Sequence, residues 1–561
     1  MYVESKKGTS RRLWRFHGGL HLPDNKRQSL TGPWRQARLP ARLTLPLQQH
    51  IGEPAQPLVK PDERVLKGQL IADNKAPVSA PLHAPTSGRV VEIADHPLPH
   101  PSGLPGPCIV IEPDGREEWA RLPEPLTEFR SATPEALRER IRQSGIVGMG
   151  GATFPAAVKL NPGQPIHTLI LNGAECEPYI TCDDRLMQDQ PLRVLNGARI
   201  LQHLLGAESC LIGVEDNKPE AIGQLRTLLD DEEPIEVVRI PTLYPSGGEK
   251  QLIRILTGLE VPSGGYPAQL GIVCHNVATA AAVADAVLEG RPLISRLVTL
   301  TGQGIAQPCN LEAPLGISAR ELIAQSGGYT ETAYQLIMGG PMMGFDLLTD
   351  QVPITKGSNC LLAPSRQESP PPEPARPCIR CGRCAEVCPA NLLPQQMYWY
   401  SRAKDLDKVQ DYNLFDCIEC GCCSHVCPSQ IPLVQYYRFA KTESWAREQE
   451  RREAEHAKQR HEFRVARLQR LEAERKARLR KKKQALSDKS TGGQGKPALD
   501  EAKRAAIAAA MQRANAKKAQ REAAPAAAGD PAAPRRAQAD SGKPPQDVQA
   551  KTAASSPADQ E

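Results

Sequence analysis

No window of about eighteen apolar residues occurs in this 561-residue chain, so no segment is expected to cross a membrane as a helix. The nearest approach, the alanine-rich stretch Ala278 to Leu288, is broken by Asp285 and is too short to span. The first fifteen residues are charged and no apolar stretch follows them, so a secretory signal is not expected either. Aromatic residues are absent from 484–561, where alanine, lysine, proline and glutamine dominate. Such a segment cannot bury enough apolar surface to fold alone. Neither a nucleophilic triad nor a metal-activated nucleophile is legible, which argues against hydrolysis. From these absences the expectation is a cytoplasmic chain whose relation to any membrane is peripheral.

The charge that is present is uneven. Net charge is +6, yet residues 451–561 carry 26 Lys/Arg against 14 Asp/Glu, and the preceding 450 carry 44 against 50. The basic balance therefore belongs to the tail, and no nucleic-acid partner is expected for the body of the chain. Sixteen cysteines in a chain of this type are not a secreted disulfide framework. Eight of them form two copies of one spacing: Cys378, Cys381, Cys384, Cys388-Pro389, and Cys417, Cys420, Cys423, Cys427-Pro428. Three thiolates at two-residue gaps wrap one cubane, and the fourth, before proline, reaches to the other cluster. The expected ligand sets are Cys378, Cys381, Cys384 with Cys427, and Cys417, Cys420, Cys423 with Cys388. Zinc sites rarely use this triple-plus-proline spacing. Two [4Fe–4S] centres follow, and Cys422 is left over as a bystander. Between the runs, 391–414 reads as helices, so a helical two-cluster ferredoxin domain is expected.

Upstream, 43–112 reads as short strands with turn punctuation at Gly52-Glu53-Pro54, Lys60-Pro61-Asp62 and Ala84-Pro85-Thr86-Ser87-Gly88. It resembles the barrel-sandwich hybrid of lipoyl carriers, but Lys75 lacks their motif, so no swinging arm is expected. The loop Phe16 to Pro23, with His17 and His21, is expected to pack on a later domain rather than bind metal. A helical charge pattern over Pro134 to Ser144 leads into Gly145-Ile146-Val147-Gly148-Met149-Gly150-Gly151-Ala152-Thr153-Phe154-Pro155, with Lys159 four residues on. Backbone N–H groups of such a loop close on phosphate, and a nearby lysine offsets its charge. The order of glycines differs from the Walker and Rossmann fingerprints. An apolar strand, His167 to Leu171, then ends in Asn172-Gly173-Ala174-Glu175-Cys176-Glu177, where an open α/β sheet places ligand contacts. Helices are expected after Ser246-Gly247-Gly248-Glu249-Lys250 and at His275-Asn276-Val277-Ala278-Thr279.

These four motifs, GIVGMGGATFPAAVKL, LILNGAECEP, SGGEKQLIRIL and HNVAT, resemble in order the flavin- and NADH-binding subunit of respiratory complex I. With the barrel-sandwich start and the duplicated cysteine runs, residues 14 to about 440 resemble the RnfC/RsxC family of the Rnf (Rsx) ion-translocating electron transport complex. The resemblance implies FMN over the glycine-rich loop, with Gly148, Gly150, Gly151, Lys159, Asn172, Glu175 and Glu249 as its contacts. It also implies Phe154 near the nicotinamide of NAD(H) and Glu177 close to the dinucleotide. Two positions depart from the complex I pattern: Ala174 stands where it has an aspartate, and Gly248 where it has a second glutamate.

The expected fold class is multidomain α/β and α+β. An N-terminal extension (1–42) precedes a barrel-sandwich hybrid (43–130), an FMN/NADH-binding α/β domain (131–295) and an SLBB-like β-grasp packing module (296–350). A linker (351–377), the ferredoxin-type domain (378–440), a charged helix (441–485) and a low-complexity basic tail (486–561) follow. The resemblance implies an NADH-linked oxidoreductase subunit, peripheral on the cytoplasmic side of the inner membrane. Its implied partners are NADH and the other members of the complex, one of them a ferredoxin-type cluster protein. Two other readings remain: a cluster-bearing relay or scaffold without NADH chemistry, and a soluble NADH–ferredoxin oxidoreductase.

Overall fold

The computed structural model describes residues 2–4, 10–490 and 497–522. The chain divides into two compact units, Met1–Glu453 and Ala454–Glu561. Among the described residues no helix is long and apolar enough to cross a membrane.

In the first unit, the Gly/Pro-punctuated segments close into two small antiparallel sheets. One runs Leu43–Pro46, Pro105–Pro113, Gly88–Pro97, Arg64–Val65; the other runs Gln56–Pro57, Leu70–Asp73, Leu82–His83. Leu45, Val65, Ile71, Val90, Ile109 and Ile111 form their shared core, the alternate-residue inward face expected of two-layer β structure.

The helix Pro134–Gln143 starts where Thr133 caps the Ala136 N–H and Pro134 presets the first turn. The apolar runs that follow make a parallel sheet in the order Ile235–Ile240, Ser209–Glu215, Thr168–Gly173, Ile272–Asn276. Such runs suit strands buried on both faces. The strand Thr168–Gly173 is thus flanked on one side by its next strand in sequence and on the other by the last. That reversal opens a crevice at the carboxyl ends. Behind the sheet, helix Pro191–Leu205 meets helix Val277–Leu288 along a row of buried alanines. The approach depends on Gly197, where an added Cβ would stand 1.9 Å from the Ala280 carbonyl oxygen.

A six-stranded sheet follows, in the order Phe345–Asp346, Ile337–Met338, Cys360–Leu362, Ser295–Thr301, Cys309–Pro314, Arg35–Gln36. Its outer strand comes from the N-terminal extension. Its strand Cys360–Leu362, with Val352 and Ile354, is buried in the module's core, so the linker expected over 351–377 does not begin until after that strand. Glu368 lies beyond the strand but is also held, accepting from Gln303 N at 2.8 Å and Ser365 N at 3.0 Å. The strand is short and precedes the proline-rich run from Pro364, and its parallel partner, Ser295–Thr301, lies far upstream.

In the cluster domain, helices Pro394–Arg402 and Leu406–Asp411 separate two matching turns. Left-handed backbone recurs in register: Arg380 with Glu419 (φ 56° and 57°), Gly382 with Gly421 (82° and 81°), Asn391 with Gln430 (51° and 52°). The cysteine repeat is therefore a repeat of conformation. The loop Phe16 to Pro23 packs as expected, and between two domains: Leu20 exchanges backbone bonds with Tyr244, and Gly19 N donates to Val387 O at 3.0 Å. Gly18 has no room for a side chain there, its Cβ position being 2.4 Å from the Val387 carbonyl carbon.

The helix expected at 441–485 spans Leu433–Ser490, starting earlier because Val434, Tyr437 and Ala440 pack into the cluster domain. Within the second unit, Pro497–Glu522 is also helical, in a stretch whose composition predicts no independent fold. Alanine, lysine, glutamine and arginine are strong helix formers, so a helix forms without a core; its described side chains are almost wholly exposed. The remaining tail, 523–561, lies outside the described residues.

Truncation after Glu453 is expected to leave a folded protein with both clusters, measured as unchanged iron content and melting temperature. Cutting nearer Ser444 would remove a buried hydroxyl that accepts from Gln410 at 3.4 Å, and should lower the melting temperature. Gly197→Ala should cost about 1–3 kcal/mol through overpacking against the Ala280 backbone, seen as a lowered denaturant midpoint with an unchanged slope.

Candidate flavin crevice and cluster sites

The crevice is built from strand ends. Asn172 and Asn276 are register partners on adjacent parallel strands, each at or next to the carboxyl end. The Asn172 amide donates to Gly247 O at 2.8 Å, tying the sheet to the segment before helix Glu249–Thr257. Asn276 caps helix Val277–Leu288 by accepting from Ala278 N at 2.8 Å, and its amide donates to Asp183 at 2.6 Å. The glycine-rich loop lies across this edge: the Cβ position of Gly150 is 3.4 Å from Asn276 Cβ. The loop closes on itself through Gly148 N to Phe154 O (2.8 Å) and Thr153 N to Gly148 O (3.1 Å). Phe154, half-buried, stands at its far end.

Lys159, in the short helix Ala156–Lys159, pairs with Glu249 at 2.6 Å; both are part-exposed. His275, buried beside them, is held down to about 3, first by burial and then by the Lys159 charge, so it is neutral. Gly151 has φ +103° and nothing within 4 Å of its Cβ position, so backbone is presented to open space. A left-handed glycine, a cation and two strand ends around that space fit the phosphate-bearing end of a flavin nucleotide. Gly148, Gly150, Gly151, Lys159, Asn172 and Glu249 are thus brought together.

Two of the three predicted glutamates, Glu175 and Glu177, are engaged elsewhere. Glu175 is buried and accepts from Asp183 N at 2.9 Å and Asp184 N at 3.4 Å, at the start of helix Cys182–Asp189. Burial pushes its carboxyl up, with Lys26 at 4.0 Å opposing the shift. Glu177 accepts from Met342 N at 2.7 Å and Met343 N at 3.0 Å, capping a turn of the β-grasp module. Both carboxylates make protein contacts, so Glu175, expected at FMN, and Glu177, expected at the dinucleotide, already serve the fold. Asn276 and Asp183 join the site although sequence reasoning does not single them out; the HNVAT motif is the available signal for the first.

The cysteines form two separate cavities. One is lined by Cys417, Cys420, Cys422 and Cys423 together with Cys388; the other is lined by Cys378, Cys381 and Cys384 together with Cys427. Each brings the three expected cysteines of one run near the fourth of the other, and the first holds Cys422 besides. Apolar residues make up much of their walls: Leu392, Met397 and Val434 around the first, Ile431 and Leu433 at the second, where Gln395 also accepts from Cys384. Burial, then the neighbouring sulfurs among its other causes, pushes the Cys417 thiol up to about 11, and Cys423 up as well. Crowded sulfurs that resist ionisation alone are suited to iron, whose positive charge stabilises the thiolates. Cys422, expected as a bystander to the clusters, is fully buried beside Cys420 and Tyr244. The second-run cavity also touches the flavin domain, since the Tyr244 hydroxyl donates to Cys420 O at 2.6 Å.

A parallel-sheet flavin domain joined to a two-cluster ferredoxin domain defines an electron-transfer flavo-iron–sulfur protein. Residues 14–116 match the RnfC barrel sandwich hybrid domain, 141–285 the Nuo51 FMN-binding domain, 297–346 the SLBB domain and 377–431 the 4Fe-4S dicluster domain. Three curated relatives each carry the name of the C-subunit of an ion-translocating oxidoreductase complex. That of Pseudomonas aeruginosa is 52% identical over 467 residues, covering 83% of this chain and 60% of its own. That of Vibrio cholerae serotype O1 is 50% identical over 515 residues (91% and 65%), and that of Yersinia pestis 48% over 478 residues (85% and 77%). The chain belongs to this RnfC family of ion-translocating oxidoreductase complexes. It spans 60–65% of the length of the first three curated relatives it matches.

Cys427→Ala should perturb the paramagnetic signal of the cluster held by Cys378, Cys381 and Cys384, despite its place in the other run. A change confined to the cluster of Cys417, Cys420 and Cys423 would show that each run closes on itself.

Proposed function

We propose that the chain is the electron-input subunit of a membrane-bound ion-translocating complex, peripheral on the cytoplasmic side of the inner membrane. In this reading electrons pass between NAD(H), FMN and the two [4Fe–4S] clusters, and on to membrane partners that couple the flow to ion movement. A flavin, when bound, exchanges electrons singly or in pairs, which is what joins a hydride donor to one-electron clusters. The glycine-rich loop and Lys159 would hold its phosphate, Asn172 and Asn276 would orient it at the strand ends, and Phe154 would flank the nicotinamide. Ala174 and Gly248 put fewer carboxylates near this pocket than the complex I pattern has, which lessens repulsion of phosphate.

The observation that carries the proposal is the segment Tyr244 to Glu249. Its last residue pairs with Lys159 at the crevice, and its first bonds the backbone of a cluster cysteine. One short piece of chain thus spans from the flavin crevice to the second-run cluster, which suits a direct route between them.

An anaerobic visible spectrum of the full chain tests this. Flavin and cluster absorbance are expected, with bleaching on addition of NADH. Cluster absorbance with no response to NADH would favour the relay reading, and full recovery in the soluble fraction of cells that make the whole complex would favour the soluble oxidoreductase. Lys159→Ala should weaken FMN binding roughly 10–100-fold, the worth of one charge-assisted hydrogen bond, without loss of iron. Iron falling in step with flavin would make the lysine structural.

A further inference from the structure

The back of the glycine-rich loop is held by two buried cations, and both come from the β-grasp module. Arg296, on strand Ser295–Thr301 and 2% exposed, donates to Met149 O at 3.0 Å and to Ser358 O at 3.1 Å. Lys356, fully buried in the turn before strand Cys360–Leu362, donates to Gly145 O at 2.8 Å and Pro81 O at 2.7 Å. The turn itself is pinned, with Lys356 N donating to Gln49 at 3.0 Å, and it presses on the loop: the Cβ position of Gly357 is 2.6 Å from Thr153 Cγ2. Gly145, at φ +68°, leaves the space that the ammonium fills; a Cβ there would stand 2.9 Å from Lys356 Nζ.

Burying an ammonium on carbonyls alone is costly, and burial holds Lys356 down to about 7. An apolar residue would pack a mere domain junction at less cost. What the cations add is direction. In a trans peptide the carbonyl and the following N–H point to opposite sides. Drawing Met149 C=O back onto Arg296 therefore turns the Gly150 N–H towards the crevice side, where Asn276 lies. The Arg296 guanidinium behind the loop adds attraction for an anion in front of it.

We propose that the β-grasp module acts as a clamp on the flavin loop, with Arg296 and Lys356 as positioning residues: Arg296 orients the Gly150 donor towards the flavin phosphate, and Lys356 anchors the start of the loop at Gly145. This rests on the flavin reading above. It gives the SLBB-type module a task beyond packing, and makes it a partner in cofactor affinity although neither cation touches the crevice.

The test uses the full chain, freed of flavin and titrated with FMN by fluorescence, with the flavin midpoint potential and both cluster signals recorded alongside. Lys356→Met should raise the FMN dissociation constant at least tenfold and shift the flavin potential, while both cluster signals persist. Lys356→Arg, which keeps the charge and donors, should restore part of the affinity. Arg296→Lys, which keeps the charge but loses one of the two bonds, should fall between. Arg320→Met, which removes an exposed partner of Asp350 on the same module, should bind as the parent does. Parental affinity and potential in Lys356→Met and Arg296→Lys would overturn the clamp. Should Lys356→Met lose its cluster signals, the Lys356→Arg and Arg296→Lys pair decides, since both keep a buried cation. A parent chain that binds no FMN would overturn the flavin reading itself, an outcome distinct from unaltered variants.

Discussion

The hydroxyl of Tyr244 donating to the Cys420 carbonyl at 2.6 Å is the contact on which the arrangement of the first unit turns. A buried phenol must find a partner, and this one finds it across a domain boundary, in a cluster loop. The same tyrosine exchanges backbone bonds with Leu20, so the N-terminal strap is stitched in alongside. Because Gly19 also bonds Val387, three stretches far apart in sequence converge on one point. A cofactor crevice and a cluster cavity held by separate flexible domains would have no fixed spacing; here the spacing is built into hydrogen bonds.

Charge burial is the second organising constraint. The first unit places Lys26, Lys218, Arg296 and Lys356 almost fully inside. Lys218 is paired with Glu215 at 2.6 Å, both side chains being fully buried. Lys26 instead donates to the carbonyls of Glu177 and Ile180 at 3.0 and 2.5 Å. Lys26, Lys218 and Arg296 lie about the acidic group of Glu175 and Asp183, whose carboxyls burial pushes up. The ionic network thus lies behind the crevice, and the crevice itself keeps the part-exposed Lys159–Glu249 pair. Buried ion pairs are weak sources of stability, but removing one partner is costly, so the network resists piecemeal change.

Local motifs are legible where chemistry demands short-range spacing. A cubane needs three sulfurs within one loop, and a phosphate needs successive N–H groups, so Cys378 to Cys388 and Gly148 to Gly151 announce themselves. Helix starts are equally readable, since Thr133, Asn276 and Ser318 cap within three residues of themselves. Long-range placements are not. Nothing near Cys360 says that its strand pairs with Thr299, and nothing near Lys356 says that its ammonium will meet Gly145. Glu175 and Glu177 look available in the sequence because acidic residues at a strand end usually face solvent or ligand; the backbone N–H groups of Asp183 and Met342 claim them.

The sequence by itself determined the domain types, the duplicated cysteine spacing and the glycine-rich loop. Each of these depends on residue identity and spacing within a few turns of chain. Only the tertiary structure decided that Phe16 to Pro23 straps two domains together, that the supposed linker contributes a core strand, and that the second-run cluster faces the flavin domain. Those depend on which surfaces meet, and a meeting of surfaces is set by the sum of many weak contacts across the whole first unit rather than by any short pattern.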